Sequence, residues 1–121
     1  MIALRRTPAE LAALRRAKAR LDTLDFYPRP VDIDRVRILH VPWLFRLPWF
    51  RRFDGYTMWN LILLRSAAFA RDEDLICHEL CHVWQMQHHP VRMPLSYLRW
   101  GYAKNPYERE ARRAVTAAPG R

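Results

Sequence analysis

The stretch His78-Glu79-Leu80-Cys81-His82 is the most informative part of the chain, and it reads H-E-x-x-H. Residues four apart on a helix lie one turn above each other on the same face. If the stretch is helical, His78 and His82 therefore direct two imidazole rings at one point. Glu79 follows His78 by about 100° around the helix axis. Its carboxylate is expected beside that point rather than opposite it.

The residue types in this pattern predict metal chemistry. Neutral imidazoles are preferred zinc ligands, and a neighbouring carboxylate can take a proton from a metal-activated water. H-E-x-x-H on a helix is typical of zinc-dependent hydrolysis with the glutamate as general base. We therefore expect Zn2+ as the cofactor, His78 and His82 as ligands, and Glu79 as the catalytic residue.

The flanking sequence predicts that the motif lies on a helix. An acidic run from Asp72 to Asp74 favours a helix start, and Pro90 favours a stop, so the helix is predicted over residues 72–88. Other helices are predicted after Thr7, which has a capping-box glutamate three residues later, from Pro94 to about residue 102, and after Asn105. The first of these is interpreted as a packing helix.

The middle of the chain predicts a small sheet. Apolar and polar residues alternate over residues 31–41, which indicates one strand or two short ones, and residues 56–64 are predicted to form one well-covered strand. Residues 42–53 hold two prolines among aromatic and arginine side chains, so an irregular segment is expected there. The predicted fold class is α+β, with a short antiparallel or mixed sheet and C-terminal helices.

Length and charge limit the remaining possibilities. A chain of 121 residues is expected to form one domain, with a packing helix in residues 1–30, the sheet and aromatic segment in residues 31–71, and the metal-binding helices in residues 72–121. The net charge of +9 comes from 21 basic and 12 acidic side chains. Because the arginines are spread along the chain, this charge favours an acidic partner or an anionic surface over nucleic acid.

The two cysteines and the hydropathy pattern bear on the compartment. Cys77 and Cys81 are four apart in the predicted helix, which suits free thiols in a reducing environment better than a disulfide. Residues 1–6 are not followed by an apolar run of signal-peptide length, and no stretch approaches the ~18 apolar residues of a membrane span. We therefore expect a cytoplasmic protein without a transmembrane segment.

A catalytic zinc site needs a third protein ligand and one open position. His88 lies ten residues after His78, as in H-E-x-x-H-x-x-G-x-x-H sites, but Gln85 stands where the glycine would turn the chain. On a continuous helix His88 is roughly 120° away from His82 and misses the site. The other route is a carboxylate from the last helix, which offers Glu108 and Glu110.

The pair of motifs His78-Glu79-x-x-His82 and Glu108-x-x-Ala111 resembles the gluzincin branch of the zincin metallopeptidases, over residues 56–114. The resemblance implies a small zincin-like domain that hydrolyses peptide or protein substrates. It implies Glu108 as third ligand, with Glu110 in reserve, and His88 is a further reserve ligand from the H-E-x-x-H-x-x-G-x-x-H spacing. It also implies that the strand over residues 56–64 lines the cleft. Many gluzincins hold a ligand histidine with an aspartate where this chain has Arg112, so another acceptor must serve here.

Two questions stay open at the level of sequence. The oxyanion of the reaction needs a hydrogen-bond donor, for which Tyr97, Tyr102 and Tyr107 are candidates. The alternatives to a peptidase are a non-catalytic, metal-binding zincin-like module that interacts through residues 42–53, and a basic protein that binds nucleic acid or a membrane surface.

Overall fold

The computed structural model describes residues 6–117 and confirms the α+β class. Residues 1–5 and 118–121 lie outside this described part. Its elements are the helices α1 (Pro8–Leu21), α2 (Glu73–His88), α3 (Arg92–Trp100) and α4 (Pro106–Ala117), the strands β1 (Arg37–His40), β2 (Gly55–Met58) and β3 (Leu61–Leu64), and the short 3-10 helices Leu44–Arg46 and Ala67–Arg71.

The three strands form one mixed sheet in the order β1-β3-β2. β3 lies in the centre, parallel to β1 and antiparallel to β2, with Tyr56 opposite Leu63. Because β2 pairs with β3 alone within residues 6–117, its second edge has no partner strand there. A free edge of this kind can accept an extended chain through backbone hydrogen bonds.

The prediction of a single strand over residues 56–64 is wrong, because the chain reverses at Trp59 and Asn60 to form a β2–β3 hairpin. Trp59 has a φ of 50°, a left-handed conformation that is uncommon for a bulky side chain. Its backbone N–H donates to the Met86 sulfur at 3.1 Å, which ties the turn to α2. The turn contains no glycine, so the usual hairpin signal is missing.

Only Arg37–His40 forms a strand within the alternating stretch over residues 31–41. The chain before it bends, because the Asp32 carboxylate accepts a hydrogen bond from the Asp34 backbone N–H at 2.9 Å. Val31 and Val36 are nevertheless buried in the core. The alternating pattern therefore predicts which side chains are buried, but it predicts a longer strand than the structure has.

The predicted start of α1 is confirmed, since Thr7 Oγ1 accepts the Glu10 backbone N–H at 3.1 Å. The Glu10 side chain does not complete a capping box. It instead accepts hydrogen bonds from Arg37 Nε at 2.9 Å and from the Ile38 N–H at 2.7 Å, which fastens α1 to β1. No residue of α1 lines either of the two cavities at the site described below, in agreement with a packing role.

α2 is the central element, because it contacts α1, α4 and β2. Its core side faces a cluster of buried apolar side chains that includes Leu14, Leu21, Ile62, Leu80, Val83 and Trp84. Cys77 and Cys81 belong to this cluster and are free thiols, as predicted. Burial raises the pKa of both thiols, so they remain protonated.

Among the described helices, none combines the length and the apolar character needed to cross a lipid bilayer.

Candidate metal centre

α2 presents the two histidines on one face because it runs without a break from its N-cap to His88. Asp72 caps it by accepting the Leu75 backbone N–H at 3.0 Å, and acidic residues occupy its first turn. The rings of His78 and His82 lie 4.9 Å apart between centroids, as residues one turn apart should.

α4 brings a buried carboxylate to the same point. Asn105 starts this helix by accepting the Tyr107 backbone N–H at 2.8 Å. One turn into α4, Glu108 places Oε1 3.1 Å from His78 Nε2 and Oε2 2.8 Å from His82 Nε2. One ligand atom from each of the three residues lies within 4.8 Å of the others, and this is the single such group found in residues 6–117.

The environment of Glu108 keeps its carboxylate ionised. Burial alone would raise the pKa of Glu108, which is only 2% exposed, but hydrogen bonds from His78 and His82 outweigh burial and lower it. The Tyr97 hydroxyl donates to Oε2 at 2.6 Å and acts in the same direction. A buried carboxylate is tolerated only when donors surround it in this way. Glu108 therefore carries a negative charge at the point that both imidazoles face.

Gln85 supplies the hydrogen-bond acceptor for a ligand histidine, because Arg112 stands where many gluzincins have an aspartate for this purpose. Its Oε1 lies 2.8 Å from His82 Nδ1, and its Nε2 donates to the Tyr107 carbonyl at 2.8 Å and to Glu110 Oε1 at 3.1 Å. Because Nε2 faces two acceptors, the amide is oriented with its oxygen toward the imidazole. His82 Nδ1 is therefore the donor, and its Nε2 is aimed at Glu108, as a metal ligand requires.

Glu79 lies beside this cluster, held against the edge strand. Its Oε1 accepts the Thr57 hydroxyl at 2.7 Å, and its side chain is 5% exposed. A Cβ atom added to Gly55 would meet Glu79 Cγ at 3.2 Å and Oε2 at 3.4 Å. Gly55 therefore matters as the place where β2 approaches Glu79 closely.

Two cavities meet at Glu79. The first, the apolar cavity, has a volume of about 330 Å³ and is bounded by β2, α2 and α3. Its lining includes His82, Glu108, Tyr97, Tyr102, Met86, Met93 and Trp59. The second, the polar groove, has a volume of about 550 Å³ and includes His78, Asp54, Asp72, Asp74 and Arg112. Because Glu79 and Gly55 line both cavities, the two cavities adjoin at this pair, with His82 and Glu108 on the apolar cavity and His78 on the polar groove.

The structure does not bring the two reserve ligands to the cluster. His88 Nδ1 lies 3.1 Å from the Trp84 carbonyl, and its ring stacks on Tyr27 at 4.8 Å. Glu110 accepts hydrogen bonds from Tyr27 and from Gln85 instead. His88 is absent from the cluster because α2 continues without a break through Gln85, which places His88 on a different face of the helix from His82.

The three predicted oxyanion donors lie at different places. Tyr97 and Tyr102 line the apolar cavity, whereas Tyr107 has its ring 6.2 Å from that of His89. Burial, together with the charge of Glu108, raises the pKa of Tyr97 and raises that of Tyr102 to about 12. Both phenols are therefore neutral hydrogen-bond donors at physiological pH.

The stability of the metal-free protein should depend on pH through this cluster. Burial would lower the pKa of His82, but its hydrogen bond and ion pair with Glu108 raise it from 6.5 to about 9. The resulting stabilisation is complete below pH 6.5 and is lost as the pH rises through 9. Because the pKa of Glu108 is lowered from 4.5, its contribution is present above pH 4.5 and is lost in acid.

We therefore expect the metal-free protein to be most stable between pH 4.5 and 6.5. At about 1.4 kcal/mol per pKa unit, the loss from His82 between pH 6.5 and 9 is on the order of 3 kcal/mol. Urea unfolding in the presence of a chelator measures this loss. Glu108→Gln should flatten the profile, and unchanged stability of the parent protein at pH 9 would contradict the ion pair.

The site contains three residues that the sequence analysis did not identify, namely Gln85, Thr57 and Gly55 in these roles. The sequence did contain a signal for Gln85, because it lies three residues after His82 and therefore on the same helix face. No local signal links Thr57 to Glu79, because their contact depends on the hairpin.

Comparison of the chain with protein-family models, with curated proteins and with solved structures gave no match.

Proposed function

We propose that the chain is a zinc-dependent peptidase with a zincin-like architecture. The observation that carries the proposal is the convergence of His78, His82 and Glu108 within 4.8 Å, beside a carboxylate that is not part of the group. Two imidazoles and one carboxylate are the donor set of catalytic zinc sites of the His2Glu type. The cluster borders a cavity, which leaves room for a fourth position.

His78, His82 and Glu108 would hold the zinc ion, which would supply a lowered pKa to a water and Lewis acidity toward a carbonyl group. Glu79 then acts as the general base, because it lines the same cavity as His82 and Glu108. Its Oε1 is held by Thr57, so the carboxylate is oriented before substrate binds. In this scheme Glu79 accepts the proton of the attacking water and returns it to the leaving amine.

The substrate is proposed to be an extended peptide that pairs with the free edge of β2. Gly55 to Met58 line the apolar cavity, so a chain bound at that edge passes Glu79. Tyr97 and Tyr102 line the same cavity and can donate to a developing oxyanion. Both phenols interact with Glu108, and the Tyr97 hydroxyl donates to Oε2 at 2.6 Å, so the geometry favours neither of the two as the oxyanion donor.

Zinc titration combined with a peptide-library digest tests the proposal. The wild type is expected to bind one zinc ion per chain and to cleave peptides in a manner that a chelator abolishes and zinc restores. Apolar side chains should be enriched next to the cleaved bond, because the cavity beside the cluster is lined by Met86, Met93 and Trp59. A protein that binds no zinc would contradict the proposal at its first step.

A further inference from the structure

α3 turns an apolar stripe toward solvent. Val91, just before the helix, and Leu95 and Leu98 follow the spacing i, i+4, i+7, and they are 65%, 53% and 85% exposed. Met93 and Ser96, on the other side, are buried. Surface helices ordinarily direct such a stripe at the core. The exposed apolar side chains of α3 can therefore contact an apolar surface outside this chain.

Residues 42–53 expose a second set of large apolar side chains. Phe45 and Phe53 fold into the protein, as expected for a segment that wraps the core. Trp43, Leu47 and Trp49 point outward instead, with exposures of 63%, 46% and 59%. Side chains of this size on one short segment exceed the scattered exposure that is ordinary for a protein surface.

One side chain from each set lines the apolar cavity. Trp49 from the first segment and Leu98 from α3 line that cavity together with Met58 and Trp59 of the hairpin. The Arg52 guanidinium bridges the segments, since it lies 4.5 Å from the Trp49 ring and 5.4 Å from the Tyr102 ring. We call the exposed side chains Trp43, Leu47, Trp49, Met58, Trp59, Leu95 and Leu98 the apolar rim.

The segments that carry most of the rim are purely basic. Residues 42–53 and 91–104 contain six cationic side chains and no aspartate or glutamate. The cations are Arg46, Arg51, Arg52, Arg92, Arg99 and Lys104, all of them exposed. Tryptophan and leucine interleaved with arginine is the composition of surfaces that rest in the headgroup region of anionic bilayers.

We propose that the apolar rim docks on an anionic lipid bilayer, with the apolar cavity on the side that faces the membrane. A second copy of the chain fits poorly, because a two-fold interface would place two purely basic surfaces against each other. A folded acidic partner must match a rim that borders the apolar cavity at Trp49, Met58, Trp59 and Leu98 and from which Leu98 protrudes. A fluid bilayer conforms to such a surface without shape complementarity.

Flotation with lipid vesicles tests the docking. The parent protein should bind vesicles of phosphatidylcholine mixed with phosphatidylglycerol, bind weakly to phosphatidylcholine alone, and dissociate as salt is raised. Leu98→Asp should lower the partition coefficient at least about tenfold, because a leucine loses its apolar burial. Its side chain is 85% exposed, so the fold should not be affected.

A matched pair of double variants separates the rim from general charge. Arg46→Glu with Arg99→Glu should reduce binding strongly, whereas Arg15→Glu with Arg35→Glu, also exposed but outside the two segments, should reduce it much less at the same net charge. Equal losses would show non-specific attraction and overturn the proposal. So would an absence of vesicle binding, or a dimer that Leu98→Asp dissociates.

Docking and catalysis fail independently in this design. Vesicle binding needs neither metal nor turnover, so it is measured with chelator present and with Glu79→Gln as well as with the parent protein. A protein that cleaves peptides but ignores vesicles retains its proposed activity and loses the docking surface. A protein that binds vesicles but no zinc gives the opposite result.

Discussion

Glu79→Gln is expected to abolish peptide hydrolysis while zinc binding is retained. The substitution keeps the size of the side chain. It also keeps an oxygen that can accept a hydrogen bond from the Thr57 hydroxyl, which lies 2.7 Å from Glu79 Oε1 in the parent protein. The amide cannot accept a proton from the attacking water. Loss of a general base typically costs about 10²- to 10⁴-fold in rate. The measurement is kcat on a cleaved library peptide, alongside zinc stoichiometry and thermal unfolding.

Glu73→Gln is the matched control, because Glu73 lies in the first turn of the same helix and contacts only the exposed Arg16 among the ion pairs described. This variant should keep both zinc and full activity, since exposed ion pairs contribute little. If Glu79→Gln cleaves at the parent rate, Glu79 is not the base. If it loses zinc, Glu79 contributes to metal binding rather than to proton transfer.

The second large effect is expected from Glu108→Ala, which should lower zinc affinity by more than the 10- to 100-fold that is typical for losing a partner outside the ligand set. Two causes act together. The site loses one of its three converging groups, and the charge that faces both imidazoles disappears. Competition titration against a chromogenic chelator gives the affinity, and activity should fall with it.

Glu110→Ala and His88→Ala are the comparisons for this variant. Glu110 contacts Gln85 and not the imidazoles directly, so its loss should weaken zinc binding only within the range for outer partners. His88 stacks on Tyr27 away from the cluster, so zinc affinity should be unchanged. Zinc kept by Glu108→Ala but lost in either of the others would show that the third ligand is misassigned.

The starts of α1, α2 and α4 were predictable because their signals are local, whereas α3 begins at Arg92 rather than at the predicted Pro94, and no side-chain hydrogen bond caps it. Asp72 and Asn105 cap α2 and α4 through hydrogen bonds to residues two or three positions later, and these contacts follow from the sequence alone. The β2–β3 hairpin was not predictable in this way. Its turn depends on Trp59 adopting a left-handed conformation, which a contact with Met86 on a distant helix helps to hold.

The site residues also differ in whether local sequence predicts their positions. The positions of His78, His82 and Glu79 follow from helix periodicity, so the motif alone places them. Glu108 was selected by analogy with a second motif, and its approach depends on how α4 packs on α2. The contact from Thr57 to Glu79 requires the correct hairpin, and no pattern in the chain specifies it.

Cys77 and Cys81 each precede a histidine of the cluster by one residue, and neither has any exposed surface. An alkylating reagent can reach these thiols only when α2 separates from the core around it. The chain thus contains two internal reporters of the opening of this helix. Any ligand that joins α2 to α4 through the cluster restrains that motion, so the rate of thiol modification records occupancy of the centre from a face of the helix about 100° away.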